Sequence, residues 1–255
     1  MWFGCQIDKE DIALNPFEGS SSLLKNDRNK TIECLDKYCE QSGIISGDKI
    51  IRDNFPVIDA DVFISHSHDD EQYAHRVASF FLSIGLQPFL DSYVWKSADS
   101  LLKKIDNKYC FNKDKETYNY KARNLSTSYV HMMLASAICK MIDQCPLFLF
   151  IKSNNSTIVD IDRIQSCNTI SPWIFFELLY FHRTQRHTPS KYKNFTKKDA
   201  LEDSSERLKI KLLAETNDLI PISKSILQKM YQSYTKNHYK REDTLFGLYQ
   251  MIHLI

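Results

Sequence analysis

Glycine is scarce in this sequence: six among 255 residues, at positions 4, 19, 43, 47, 85 and 247. Glycine-rich phosphate loops need several glycines close together so that backbone N–H groups can approach the phosphates. Neither G-x-G-x-x-G nor G-x-x-x-x-G-K-[ST] occurs, which excludes a dinucleotide fingerprint and a P-loop. An excess of one charge is also missing, since 33 Lys+Arg meet 32 Asp+Glu for a net +1. No field favours nucleic acid or an acidic membrane surface, so neither is expected as a partner. Long hydrophobic runs are absent. The longest strongly apolar one, Leu147 to Ile151, is far below the roughly 20 residues that span a bilayer as a helix. Residues 1–15 carry Asp8, Glu10 and Asp11 where a secretory signal needs basic residues and then an apolar stretch. The seven cysteines (5, 34, 39, 110, 139, 145, 167) are odd in number and scattered, with no C-x-x-C pair and no histidine at finger spacing. They read as reduced thiols, and the expected location is cytoplasmic. What is present, 43% apolar and 25% charged residues, is the composition of a globular chain long enough to bury a core without staples.

Along the chain, residues 1–55 read as a helical extension, with a periodic stretch near Asn29 to Ser42 that Gly43 stops. After Pro56 comes Asp61-Val62-Phe63-Ile64-Ser65, β-branched and aromatic as in a strand buried on both faces. From Asp69 the apolar period turns helical through Tyr73, Val77, Phe80, Phe81 and Ile84, with Gly85 as C-terminal cap. Leu86-Gln87-Pro88-Phe89-Leu90 then reads as a strand whose proline suits an edge. Strand, helix and strand within about 30 residues form a βαβ unit, so a parallel sheet is expected.

A short helix is predicted over Ala98 to Asp106, an insertion over about 107–127, and a helix from Ser128 to Ile142 leading into the strand Leu147 to Ile151. Ser171-Pro172 starts a further helix through Trp173, Phe176, Glu177, Tyr180 and Phe181. Beyond a basic linker, Lys191 to Lys198, strand character is expected in Leu208 to Leu213 and Leu219 to Ile222. Two terminal helices follow, near 223–234 and 242–254. The fold class is therefore α/β, a flavodoxin-like doubly wound parallel sheet over 56–222 with helical N- and C-terminal extensions, the latter over 223–255. Its ligands are expected beyond the carboxyl ends of the strands.

Three polar patches fall at such strand ends: Ser65-His66-Ser67-His68-Asp69-Asp70, Asp91-Ser92-Tyr93-Val94-Trp95, and the helix bearing Trp173 and Glu177. At this point the residues resemble a family. Asp61-Val62-Phe63-Ile64-Ser65-His66-Ser67, a helix, and then Gly85-Leu86-Gln87-Pro88-Phe89-Leu90-Asp91 resemble the opening of a bacterial TIR (Toll/interleukin-1 receptor) domain. Ser171-x-Trp173-Ile174-x-x-Glu177-Leu178 is similar to that family's S-x-W-C-x-x-E-L helix, with Ile174 in place of the cysteine. The resemblance covers Val57 to Phe181, about half the chain. The loop after Asp91 lacks the Pro-Gly that many members carry, so the family's loop-mediated stacking is not implied here.

The resemblance implies an enzyme that cleaves the nicotinamide–ribose bond of NAD, with NAD as substrate and no further cofactor or metal. Glu177 takes the catalytic position. The residues suit that chemistry, because nicotinamide leaves NAD as a neutral base and no general acid is needed, unlike the two-carboxylate glycosidases. One carboxylate can hold ribose hydroxyls and stabilise the developing oxocarbenium charge. Ser65, His66 and Asp91 are candidates to hold ribose or phosphate, Tyr93 and Trp95 to stack on a base, and Trp173, one turn before Glu177, to shield it. Among bacterial TIR proteins the layout looks most like the stand-alone anti-phage sensors of the Thoeris type. That likeness implies an ADP-ribose-derived signal read by a separate effector, a phage-derived trigger and self-association. Two rivals stand beside this reading. One is a TIR-like scaffold without catalysis. The other is a metal-dependent hydrolase built on His66-x-His68-x-Asp70 with His131 downstream, although Glu71 stands where such a motif needs its last histidine.

Overall fold

The computed structural model describes residues 3–13, 34–41, 43–159, 167–184, 212–237 and 239–253. In chain order the elements are β1 (Phe3–Asp8), α1 (Lys9–Ala13), α2 (Gly47–Asn54), β2 (Val62–Ser65), α3 (Glu71–Ser83), β3 (Pro88–Phe89), α4 (Asp91–Val94), α5 (Ala98–Ile105), β4 (Phe111–Asn112), β5 (Thr117–Tyr118), α6 (Tyr120–Gln144), β6 (Leu147–Lys152), β7 (Ile158–Val159), β8 (Cys167–Thr169), α7 (Pro172–Arg183), β9 (Leu212–Leu213), β10 (Ile220–Pro221), α8 (Lys224–Asn237) and α9 (Arg241–His253). They fall into two compact units. The first comprises Met1–Leu23, Asp59–Leu90 and Ile142–Ile255, and the second Leu24–Ile58 and Asp91–Met141.

The first unit is an α/β layer structure around a five-stranded parallel sheet of order β10-β1-β6-β2-β3. The predicted strands at 62–65, 88–89 and 147–151 are all in it, and Pro88 does lie on the edge strand. One correction concerns the amino terminus. Phe3-Gly4-Cys5-Gln6-Ile7-Asp8 is no part of a helical extension but an inner strand, paired along its whole length with β6. Its alternation of apolar and small or polar residues is strand patterning. The predicted helix near 29–42 is absent where it can be seen: Leu35–Tyr38 form a 3-10 turn, while residues 29–33 and 42 lie outside the described residues.

Right-handed crossovers place α3, which links β2 to β3, and α7, which links β6 onward to β10, on opposite faces because the two connections run in opposite directions across the sheet. The α7 face carries a file of rings. Phe89 stacks on Phe63 (5.4 Å), Phe63 on Phe148 (5.6 Å) and Phe148 on Phe181 of α7 (4.6 Å), each offset stack adding about 0.5–1.5 kcal/mol beyond its area. Gly4 lies beside Phe148 in the same row. A Cβ there would stand 2.1 Å from Phe181 Cζ, so only glycine lets α7 settle onto β1.

The carboxy-terminal helices appear as expected at 224–237 and 241–253. Arg241 at the start of α9 holds two carboxylates: Nε donates to Asp61 Oδ1 (2.6 Å), and Nη1 and Nη2 donate to Asp59 (2.6 and 2.8 Å). Asp61, 2% exposed, also accepts from Gln87 N (2.7 Å). The strand pairing β7-β8-β9 is antiparallel and separate. The stretch expected as a strand at 208–213 is described only for Leu212–Leu213, and the basic linker lies outside the described residues. His182, near the end of α7, lies 2.8 Å from both Glu215 Oε2 and Asp218 Oδ2 through its two ring nitrogens.

In the second unit Ser46 caps α2 and Ser97 caps α5. Buried Asn54 donates to Tyr38 Oη (3.2 Å) and Ile50 O (2.8 Å). The expected insertion at 107–127 proves mostly structured. A π-helical turn over Asp106–Cys110 and the β4–β5 hairpin occupy its first part, and α6 begins at Tyr120, eight residues before the predicted start. Asp106, 4% exposed, anchors this helix by accepting from Arg123 Nε (2.9 Å) and Ser126 Oγ (2.5 Å). No helix among the described residues is long and apolar enough to cross a membrane.

Candidate functional site

Adjacent β2 and β6 send their connections in opposite directions, toward β3 and β10 respectively. Their carboxyl ends therefore define a switch point, the place where parallel α/β sheets leave a crevice. Ser65 ends β2 in this position. Its buried Oγ donates to Glu177 Oε2 at 2.6 Å, across 112 residues of sequence. Ser65 is 1% and Glu177 8% exposed, so the carboxylate lies in a seam of low polarity, where its interactions with charge are stronger than in water.

The local sequence explains how Glu177 arrives there. Ser171 caps α7 by accepting from Ile174 N (3.3 Å), and Pro172 takes the first helical position, as predicted. Ile174, Leu178 and Phe181 form the buried stripe, and Glu177 shares that face. Phe181 meets the Gly4–Phe148 row, and Glu177, one turn earlier, meets the Phe150–Ser65 row two residues further along the strands. A helix turn of about 5.4 Å and two strand residues of about 6.6 Å nearly match. Trp173, half-buried, is thereby at the level of the next row, Asp8 and Lys152.

A second polar cluster lies at the ends of β1, β2 and β6. Asp70 is fully buried and accepts from Lys9 Nζ (2.8 Å) and Asn155 Nδ2 (2.9 Å) on Oδ1 and from Ser153 Oγ on Oδ2. Burial works to raise this carboxyl, but the hydrogen bonds from Lys9, Ser153 and Asn155, together with the Lys9 charge, outweigh it and hold Asp70 below the ordinary carboxylate value. The same contact, foremost its hydrogen bond, raises the Lys9 ammonium above its usual value. Lys9 also lies over the Tyr73 ring (4.6 Å). Ser153 is itself fixed: its N donates to Ser156 Oγ (2.8 Å), and its Oγ accepts from the N–H groups of Asn155 and Ser156. Three strand ends are thus pinned together by one carboxylate.

Of the residues singled out from sequence, Ser65 and Glu177 meet directly. His66 is half-buried with Nδ1 3.2 Å from Ile64 O, and Trp173 stands one turn from Glu177 on α7. Asp91, Tyr93 and Trp95 belong to the second unit. There Asp91 is exposed at the start of α4 and its Oδ1 accepts from Ser92 N, while Tyr93 is half-buried. Trp95 is a correction. At 4% exposure it donates from Nε1 to Pro56 O (2.9 Å) and packs edge-on against Phe55 (5.8 Å), so the ring is a core anchor rather than a platform for a base. The metal arrangement does not form either. Asp70 turns to Lys9, Ser153 and Asn155, His68 is exposed, and no three His, Cys, Asp or Glu side chains converge among the described residues. Sequence reasoning missed Lys9, Ser153 and Asn155, because they reach Asp70 from 61 to 85 residues away.

No protein-family model matches the chain, and no curated protein or solved structure matches it.

Proposed function

We propose that this chain is a TIR-type enzyme that cleaves the nicotinamide–ribose bond of NAD and makes an ADP-ribose-derived product, cyclic or conjugated, as a signal in bacterial anti-phage defence of the Thoeris kind. The observation that carries the reading is the 2.6 Å bond between Ser65 and Glu177 at the switch point, which joins two residues drawn from the separate motifs of the resemblance. The strand order supports it in part. Counted from β2, the run β3-β2-β6 is the 2-1-3 start of a flavodoxin-like sheet, with β1 inserted before β10.

On this reading the Ser65 hydroxyl fixes the Glu177 rotamer and the carboxylate faces the anomeric carbon. As the C–N bond lengthens, its electron pair leaves with nicotinamide, which departs neutral, and positive charge grows on the ribose. Glu177 stabilises that charge without protonating anything, an electrostatic role that strengthens in a dry seam. His66 and Trp173 border the ribose, and water or another acceptor then closes the reaction at the anomeric carbon. On this reading the protein is cytoplasmic, associates with its own copies when activated, and makes a product that a separate effector reads.

The test is nicotinamide release from NAD by wild type and by Glu177→Gln, which keeps the shape and the contact to Ser65, with mass spectrometry of the second product. Release should fall by about 10²–10³ in the variant, the scale of losing one preorganised electrostatic group. Release that survives the substitution would refute the catalytic role of Glu177, and no release from activated protein would leave the scaffold reading. One observation favours that second reading: α6 exposes Leu125 (56%), Tyr129 (63%) and Met132 (67%) on one face, the spacing of an unpartnered helical stripe.

A further inference from the structure

The sheet register sets two residues beside the Ser65–Glu177 pair that the sequence motifs do not contain. Gln6 of β1 and Ser65 of β2 flank Phe150 in one row, Gln6 pairing with Phe150 from one side and Ser65 from the other. Alternation along β1 and β6 puts Gln6, Phe150 and Lys152 on the same face as Gly4 and Phe148, which is the face that α7 covers. Gln6 Oε1 is buried and has no hydrogen-bond partner among the described residues. A buried acceptor without a donor is destabilising, and a ligand hydroxyl would supply the missing donor. Two residues further toward the carboxyl end, Lys152 is half-buried and makes no ion pair among the described residues. Its register partner Asp8 is exposed and does not neutralise it.

The polar groups are thus graded by height along the strands. At the inner level stand acceptors for hydroxyl groups, Glu177 of α7, held by Ser65 of β2, and Gln6 of β1, with β6 between the two strands. At the outer level, about 6.6 Å away, stand a cation and the aromatic ring of Trp173. That spacing suits a sugar whose ring hydroxyls and whose phosphate point in opposite directions. Resting on the NAD reading above, we propose that Gln6 and Lys152 form the sugar-phosphate half of the site: Gln6 Oε1 accepts from a ribose hydroxyl, and Lys152 Nζ holds the phosphate attached to the same ribose. Substrates would then be phosphorylated ribosides, bound ribose-inward with the diphosphate at the strand ends. Gln6 and Lys152 act in binding and orientation rather than in bond cleavage.

The proposal is tested with the full chain by calorimetric titration of ADP-ribose and of nicotinamide riboside, which keeps the ribose that faces Glu177 and lacks phosphate. Lys152→Ala should weaken ADP-ribose by about tenfold or more, the scale of one charge-assisted contact, and leave nicotinamide riboside unchanged, while Lys152→Arg should stay within a few-fold of wild type. Gln6→Met, which keeps the volume and removes the acceptor, should weaken both ligands. Thermal melting of each variant separates lost binding from lost folding. With NAD as substrate, Lys152→Ala should raise KM and leave kcat nearly unchanged, the pattern of lost uniform binding. Lys152-dependent ADP-ribose binding without Glu177-dependent nicotinamide release would uphold this subsite and sink the cleavage reading. Glu177-dependent release with an unaltered KM in Lys152→Ala would do the reverse. Wild-type protein that binds no ADP-ribose at millimolar concentration would overturn the proposal.

Discussion

Replacing Asp70 by Asn removes one charge from the centre of the cluster that pins β1, β2 and β6 while changing its shape very little. Asn can still accept from Lys9 and Asn155 through its carbonyl, and its amide can face Ser153, so most contacts survive as neutral hydrogen bonds. What disappears is the charge-assisted part, of which the Lys9 contact at 2.8 Å is the largest share. Contacts to a charged group contribute about 1.5–3 kcal/mol against about 1 for neutral ones, so Asp70→Asn should cost about 1–2 kcal/mol at neutral pH. Asp70→Ala strands the buried Ser153 hydroxyl as well and should cost about 3 kcal/mol or more. Lys9 softens the loss, because its side chain is 25% exposed and can turn to water.

The pH dependence carries the sharper discrimination. The Asp70 carboxyl is held below its unfolded value, so the folded state binds this proton more weakly than the unfolded state does. Its stabilisation is therefore complete above the unfolded value of about 3.9 and is lost as pH falls through the lower, folded value. Lys9, raised in the folded state, gives the alkaline limb of the same interaction, present below the unfolded value and lost as pH climbs past the folded one. Urea unfolding followed by circular dichroism at pH 7, 5 and 3 should show wild type and Asp70→Asn converging as the solution becomes acid. A difference of constant size across that range, or none at pH 7, would refute the reasoning. A double-mutant cycle with Lys9→Met should assign about half or more of the neutral-pH difference to the pair.

Two further outcomes follow from packing and burial. Gly4→Ala places a methyl 2.1 Å from Phe181 Cζ and 2.7 Å from Leu219 Cδ2, and overpacking of that kind costs about 1–3 kcal/mol. The melting temperature should fall by several degrees, and Phe181→Leu in the same chain should restore part of it, whereas an unshifted melt would remove β1 from beneath α7. Thiol titration at pH 8 should label the exposed Cys34 and Cys39 first and leave Cys5, Cys110 and Cys145 until the protein is denatured. Burial, with the Asp61 charge behind it, pushes the Cys145 thiol up to about 12, so fast labelling of Cys145 in native protein would contradict its placement.

What the sequence made legible divides along a physical line. Strands and helices that bury a continuous apolar stripe announce themselves, and β2, β3, β6, α3, α5, α7, α8 and α9 all lie where periodicity or composition placed them. Residues 120–127 hold only Tyr120, Ala122 and Leu125 as apolar residues, too few for a stripe that would distinguish the first turns of α6 from a loop, and the tie to Asp106 helps to fix them. β1 failed for another reason. Its alternation was present, but Gly4 and Gln6 occupy the face beneath α7 where a reader expects large apolar residues, because Phe181 and Phe148 fill that space from other elements. A residue chosen for what its neighbours leave open carries no signal of its own. The same holds at the site. Glu177 and Ser65 could be paired through motifs, whereas Gln6, Lys9, Lys152, Ser153 and Asn155 are commonplace residues until strand register sets them side by side. Register is a property of the sheet as a whole, decided by which strands lie next to each other, and insertion of β1 between β6 and β10 is the event that brings Gln6 and Lys9 to the strand ends.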